Sequence, residues 1–232
     1  MTKAIKLPIF IDTGNIEEIK KYHRMGLCHG VTTNPSILIK DGVTGGADAI
    51  KAAMIEIAEL ISPYELSVEL TQNGDKAAMI AEAKDIKTWA ENIVIKVPVH
   101  GPNGELENLE VIRALETEHD IRVNCTAIMS PQQGFLAALA GSSYVSLFCG
   151  RINDMGYDSI EEVSKLRALI DEYELESKII AASTREAINI TDWILAGAHI
   201  VTVAPQFVQT MLVHPYTKET VQIFLKDAEK NK

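Results

Sequence analysis

The sequence predicts an α/β fold in which eight parallel strands close into a barrel, and three observations carry that prediction. Short β-rich runs alternate with helix-patterned segments along the chain, the runs number eight, and nearly every run ends in a polar side chain. Strand and helix in alternation mean parallel strands joined by right-handed crossovers, and eight units is the count that closes a ring. An open, doubly wound sheet is the alternative. Against it, no GxGxxG follows the first run and no P-loop occurs anywhere. One domain over residues 1–232 is expected, because a chain of 232 residues can bury the core of one barrel.

The predicted strands, taken in order, are 9–12, 30–34, 67–70, 93–97, 122–128, 144–149, 179–183 and 200–204, each short and rich in Val, Ile, Thr or aromatic residues. Between them the segments 16–25, 47–61, 76–89, 109–119, 131–140, 160–173, 185–195 and 206–212 carry apolar residues three and four apart, the helical spacing. Cap chemistry agrees: Asn15 precedes an Ile-Glu-Glu-Ile turn, Ser130-Pro131 opens a helix, and Gly141 and Gly197 stand where helices should stop. A last helix with polar ends is expected over 222–232.

Composition bounds the function. The 22 Lys and Arg against 32 Asp and Glu leave a net charge of −10, which repels nucleic acid and anionic membranes at long range. An anionic substrate would therefore need a locally positive site. Cys28, Cys125 and Cys149 lie far apart, and no two of the six histidines are three or four residues apart, so neither a disulfide framework nor a zinc site is supported. A reducing cytoplasm fits this usage. The apolar stretch near the N-terminus meets Asp12 at once and is too short for a signal sequence. Two uncharged segments, 123–150 and 193–217, are long enough to span a bilayer but are interrupted by Pro, Gly, Gln, Ser or His, and are expected to be strand–loop–helix core.

The chemistry concentrates at the strand ends. Lys96 interrupts the apolar run Asn-Ile-Val-Ile-Lys-Val-Pro-Val-His, and full burial depresses a lysine pKa by up to about 3–5 units, so such a lysine is either costly or used as a neutral amine. A strand-end ammonium reaching water or a phosphate is the alternative. Asp12, Thr32, Asn34, Glu69, Asn124, Thr126, Ser146, Ser183 and Arg185 also fall at or just past the ends of predicted strands, and within a strand the polar pairs are two apart, hence on one face. In a closed barrel that face is the interior, and the groups converge at the C-terminal mouth. Arg151 follows the sixth run closely. An amine with carboxylates suits Schiff-base chemistry without a metal or cofactor, amides and hydroxyls suit a polyol, and the arginines with Ser183 suit a phosphate.

Read along the chain, Phe-Ile-Asp-Thr-Gly-Asn, Gly-Val-Thr-Thr-Asn-Pro-Ser, Val-Glu-Leu, Val-Ile-Lys-Val-Pro, Val-Asn-Cys-Thr-Ala-Ile, Ser-Leu-Phe-Cys-Gly-Arg, Ala-Ala-Ser-Thr-Arg and Ile-Val-Thr-Val-Ala-Pro resemble, in order, the strand motifs of the transaldolase family. The likeness is to its small microbial subgroup, which includes the fructose 6-phosphate aldolases. It implies a TIM-type (α/β)8 barrel of the class I aldolase kind with the Schiff-base lysine on strand four. It implies that Lys96 forms an iminium with a ketose phosphate, that Asp12 takes the proton of the C4 hydroxyl, and that Glu69 and Thr126 hold a water that shuttles protons. Asn34, Asn124 and Ser146, with Thr32 beside them, would face the dihydroxyacetone hydroxyls, and Arg151, Ser183 and Arg185 the phosphate. Partners by resemblance are the sugar phosphates of the pentose phosphate pathway and further copies of the chain, in pentamers or decamers joined through the C-terminal helix.

Two positions separate the branches of that family. Glu69 and Phe148 match transaldolases, where the aldolases resemble them with glutamine and tyrosine, and a phenyl ring lacks the hydroxyl that would hold a hydrolytic water. Transfer is thus favoured over cleavage. The segment after strand four is longer than the family's usual turn and is expected to place His100 beside the mouth; Leu147, Cys149 and Gly14 also depart from the usual residues. An altered ketose, such as a sulfonated one, stays open, as does a barrel that binds sugar phosphate without turnover. An isomerase or lyase of another phosphate-binding barrel is disfavoured because the segments after strands seven and eight lack a glycine-rich loop.

Overall fold

A computed structural model describes residues 8–230. The chain runs β1 (Ile9–Asp12), α1 (Ile16–Arg24), β2 (Gly30–Thr32), α2 (Pro35–Lys40), α3 (Ala47–Ile61), β3 (Glu65–Glu69), α4 (Lys76–Lys87), β4 (Ile93–Pro98) and α5 (Glu107–Glu118). It continues through β5 (Val123–Ile128), α6 (Pro131–Leu139), β6 (Tyr144–Leu147), α7 (Cys149–Asp154), α8 (Ser159–Glu172), β7 (Lys178–Ala181), α9 (Ile188–Leu195), β8 (Ile200–Val203), α10 (Pro205–Leu212) and α11 (Pro215–Lys230). Each strand pairs in parallel with the next, and β8 returns to β1 through Ile9–Val201 and Ile11–Val203, so the sheet closes into the expected (α/β)8 barrel.

The caps work as their chemistry requires. Asn15 accepts from the backbone N–H groups of Glu17 and Glu18, Ser130 from Gln133, and Gly141 and Gly197 follow the last residues of α6 and α9 at φ of 98° and 110°. Two short helices, α2 and α7, were not expected. Each has six residues, too few for a helical repeat to declare itself, and α2 starts from an Asn34 cap with Pro35 in its first turn. The strands predicted over 30–34, 144–149 and 179–183 each stop two residues early, because the chain there turns into these helices or into the mouth. The last helix begins seven residues sooner than expected, at Pro215, and its final two predicted residues lie outside the described ones.

Closure sorts the side chains into shells. Outward-facing residues such as Ile11, Val31, Val68, Ile95, Val145 and Val201 pack beneath the helices in one continuous core. Inside the ring, Phe10, Val94, Tyr144, Ile180 and Ile200 form a separate apolar plug. Two residues further along their strands stand Asp12, Lys96, Ser146 and Thr202, the next layer up on the same face. The plug closes the floor and the polar layer faces the mouth. The two uncharged segments form β5–α6–β6 and the α9–β8–α10 region, and among the described residues no helix is long and apolar enough to cross a membrane. In α11 no residue is buried, and Tyr216, Val221, Ile223, Phe224 and Leu225 are exposed.

Candidate active site

A cavity of about 790 Å³ opens at the C-terminal mouth of the barrel. Lys96 reaches its floor from β4, only 4% exposed, with Nζ donating to the Thr33 carbonyl at 2.8 Å and lying 3.4 Å from Glu69 Oε2. The register that pairs Glu69 with Lys96 and Lys96 with Asn124 sets these neighbours side by side. The amine is therefore directed into the barrel and against a carboxylate, not into bulk water. The Thr126 hydroxyl, from β5, is fully buried in the same wall with no protein partner. Such an orphan is costly unless something polar in the cavity meets it.

Asp12 comes from β1, opposite in the ring. Burial pushes its carboxyl above the usual aspartate range; Lys96, the Thr32 hydroxyl and Lys40 pull it down, while Asp41 pushes it up. Thr32 donates to Asp12 Oδ1 at 2.5 Å, and its oxygen lies 2.5 Å from that of Thr202. Just beyond β1, Asp41 accepts from the Thr13 hydroxyl at 2.6 Å and the Gly14 N–H at 2.7 Å, pinning the loop after Asp12 to the end of α2. Asn34 lines the cavity while its oxygen caps α2 through Ile37 N–H.

Across the cavity, Ser146 lines the wall and donates to Asn124 Oδ1 at 2.7 Å; the Asn124 amide in turn donates to Ser67 at 3.2 Å. Asn124 is fully buried behind Ser146 and does not itself line the cavity. Arg151 stands over the Phe148 ring at 5.5 Å, and Arg185 pairs with Asp154 at 3.3 Å. Ser183 lines the same cavity with a φ of 64°, in the left-handed region that a serine enters only when its surroundings hold it there. Gly150 supplies that hold: a Cβ on it would lie 1.7 Å from the Ser183 carbonyl oxygen, so only glycine lets the start of α7 meet the loop after β7.

One end of the cavity thus presents two guanidiniums and a hydroxyl, the floor an amine and two carboxylates, the walls amides and hydroxyls. A second cavity, of about 600 Å³, opens at the opposite end of the barrel; its charged lining is Glu59, Glu65 and Glu91, and Glu65 is already engaged by Arg122 and the Tyr144 hydroxyl. The three cysteines are free and buried; burial pushes the Cys28 thiol to about 11 and raises Cys125 and Cys149 as well. They stand as small apolar fillers.

A family model described as transaldolase/fructose-6-phosphate aldolase matches residues 9–232. The chain belongs to that family. Similar proteins of the transaldolase/fructose-6-phosphate aldolase family include a probable transaldolase of Exiguobacterium sibiricum, 39% identical over 95% of this chain and 97% of that protein. Others are the probable transaldolases of Dehalococcoides mccartyi, 37% identical over 94% and 96% of the two chains, and Nitrosopumilus maritimus, 38% identical over 97% and 96%. Among solved structures, a mandelate oxidase variant shares the fold with a TM-score of 0.56 at 14% identity; the alignment covers 86% of this chain but 65% of that one.

Eleven of the twelve site residues singled out from this family member's sequence line the mouth cavity, Asn124 being the one set behind the wall. His100 does not line it: the ring is exposed, with Nδ1 2.7 Å from the Gly101 carbonyl, because the longer loop after β4 folds on itself, Gly101 N–H meeting the Glu105 carbonyl. Thr202, Met129, Lys40 and Asp41 line the cavity and were not anticipated. Thr202 carried a signal, a lone polar residue two before Ala204 in an apolar run; Asp41 carried none, since a fold in α2 alone brings it to β1.

Gly150→Ala is expected to force α7 and the Ser183 loop apart, at a cost of about 1–3 kcal/mol for overpacking. That corresponds to a fall in Tm of roughly 2–12 °C for a domain of this size. A melting curve unchanged from that of the parent protein would show that α7 and the Ser183 loop are not in contact.

Proposed function

We propose that this chain is a transaldolase: it moves a dihydroxyacetone unit from a ketose phosphate, fructose 6-phosphate or sedoheptulose 7-phosphate, to an aldose phosphate through a Schiff base on Lys96. The observation that carries the reading is the buried Lys96 amine on β4, 3.4 Å from Glu69, on the floor of a cavity shared with Asp12. Family membership and relatives named probable transaldolase support it.

In the proposed sequence the Lys96 nitrogen attacks the ketose C2 carbonyl, and loss of water leaves an iminium. Glu69 and the unpartnered Thr126 hydroxyl hold the water that carries protons in that exchange. Asp12 takes the C4 hydroxyl proton, the C3–C4 bond breaks, and its electrons pass into the iminium to give an enamine while the aldose phosphate departs. A carboxyl raised by burial is a better proton acceptor for this step than an ordinary aspartate. The enamine carbon then bonds to the aldehyde carbon of the acceptor, Asp12 returns the proton, and water frees the ketose from Lys96. No cofactor takes part in these steps.

Arg151, Ser183 and Arg185 receive the phosphate, giving an acidic chain one locally cationic corner, with Asp154 steadying the Arg185 guanidinium. Asn34 and Ser146 face the dihydroxyacetone hydroxyls and Asn124 acts through Ser146. Phe148, under Arg151, favours transfer over release to water, since its ring offers no hydroxyl to a hydrolytic water. Further copies of the chain are the proposed macromolecular partners, because α11 buries none of its own residues and exposes Phe224, Leu225 and Tyr216. The proposed compartment is the cytoplasm.

Borohydride reduction with fructose 6-phosphate is expected to add a dihydroxyacetone-sized mass to Lys96, diminished when erythrose 4-phosphate is supplied, and Lys96→Ala is expected to lose adduct and turnover together. Persistent turnover in that variant would sink the mechanism; an adduct indifferent to the acceptor would favour aldol cleavage, and one formed only with a sulfonated ketose would move the substrate. Arg185→Ala should raise KM for phosphorylated donors by about 10–100-fold with a smaller change in kcat, the worth of one or two charge-assisted hydrogen bonds; an unaltered KM removes it from the phosphate corner. Sedimentation velocity should give a particle several times the 25.5 kDa of one chain, and a species of one-chain mass would overturn the assembly.

A further inference from the structure

Thr202 enters the site from β8, two residues above Ile200 of the apolar plug, and is only 3% exposed although it borders the cavity. Its hydroxyl oxygen lies 2.5 Å from that of Thr32, and Thr32 lies 2.5 Å from Asp12 Oδ1. A hydroxyl has one proton to give. While Asp12 is a carboxylate it can only accept, so the Thr32 proton goes to Asp12 and the proton between the two threonines must come from Thr202. The chain therefore has one direction, from Thr202 through Thr32 to Asp12. The backbone of Thr202 is held independently, its carbonyl accepting from the Thr184 hydroxyl at 2.9 Å, so β8 keeps its place without the Thr202 hydroxyl.

We propose that Thr202 is a positioning residue for the transaldolase reaction, donating to Thr32 so that the Thr32 hydroxyl is locked onto Asp12 and the carboxylate is held as an aimed proton acceptor. The inference rests on the transaldolase reading above. Without Thr202, the Thr32 hydroxyl is free to rotate, its donation to Asp12 weakens, and the cooperative strengthening along the chain is lost.

The charged groups around Asp12 leave a role for this chain. Lys96 on β4 and Lys40 on α2 favour its ionised form, and Asp41 at the end of α2 opposes it. Glu18, Glu69, Arg151 and Arg185 border the same cavity from α1, β3, α7 and the loop after β7. From β8 itself no charge reaches the site; its contribution is the Thr202 hydroxyl. Burial is the largest influence on Asp12 and raises it, whereas the Thr32 hydrogen bond lowers it. Loss of that bond therefore moves the titration of Asp12 upward.

The test is a set of kcat and KM profiles against pH for the full chain and for Thr202→Val and Thr202→Ser, with borohydride trapping in parallel. Thr202→Val should lower kcat at neutral pH by about 5–10-fold, the worth of roughly one hydrogen bond, with the donor KM within about twofold. Its acid limb should move to higher pH, part of the lost rate should return as the pH is raised, and Thr202→Ser should restore both rate and limb. An acid limb left in place, even with a lower kcat, or a serine variant as impaired as the valine one, overturns the inference. Should the valine variant not fold, Thr202→Ala is read by the same profiles. A parent protein that forms a Lys96 adduct while the variants leave the limb unmoved removes this inference alone; a parent protein that forms no adduct with either ketose phosphate removes the transaldolase reading and this inference with it.

Discussion

In a closed ring of eight strands every second side chain has only the interior to enter, and the site depends on that constraint. The lower interior layer is apolar, with Phe10, Val94, Tyr144, Ile180 and Ile200 filling the ring and excluding water from below. The next layer inherits a dry floor and one open side. Lys96, Asp12 and Thr202 each stand two residues beyond a member of the plug, so their heights are set by the pleat and their neighbours by the parallel register. A polar residue misplaced by one position would face the helices instead.

That enclosure makes each polar contact matter. Lys96 meets Glu69 and the Thr33 carbonyl, Asn124 ties Ser146 to Ser67, and Thr32 links Asp12 to Thr202. Few donors are idle; the Thr126 hydroxyl is one, and it sits where the proposed chemistry needs a water. Opposed influences meet on Asp12, burial and Asp41 on one side, Lys96, Thr32 and Lys40 on the other. A proton acceptor placed between them responds to small changes in its hydrogen bonds.

The cationic corner is built differently, from the short helix α7 and the loop after β7, held in close contact. Ser183 occupies a left-handed backbone conformation, and Gly150 makes room for its carbonyl. Arg151 rests on Phe148 and Arg185 on Asp154, so each guanidinium has a support that leaves other N–H groups free for an anion. The same economy appears after β1, where Asp41 holds Thr13 and Gly14 and so steadies the loop that follows Asp12.

By itself the sequence determined the eight-unit alternation, the strands that carry the polar residues and the shared face of those two apart, since these follow from local periodicity of 2 and 3.6 along the chain. Asp12, Thr32, Glu69, Lys96, Thr126 and Ser146 line the mouth for that reason, each standing on its strand with its side chain on the inner face. Only the tertiary structure decided that Asn124 stands behind Ser146, that His100 turns away from the cavity, and that α2 and α7 form at all. It alone also brought Asp41 to Gly14, 27 residues away, and Thr202 to Thr32, 170 residues away. Contacts at such separations depend on the closure of β8 onto β1 and on loops packing against one another, and no local pattern of residues records either.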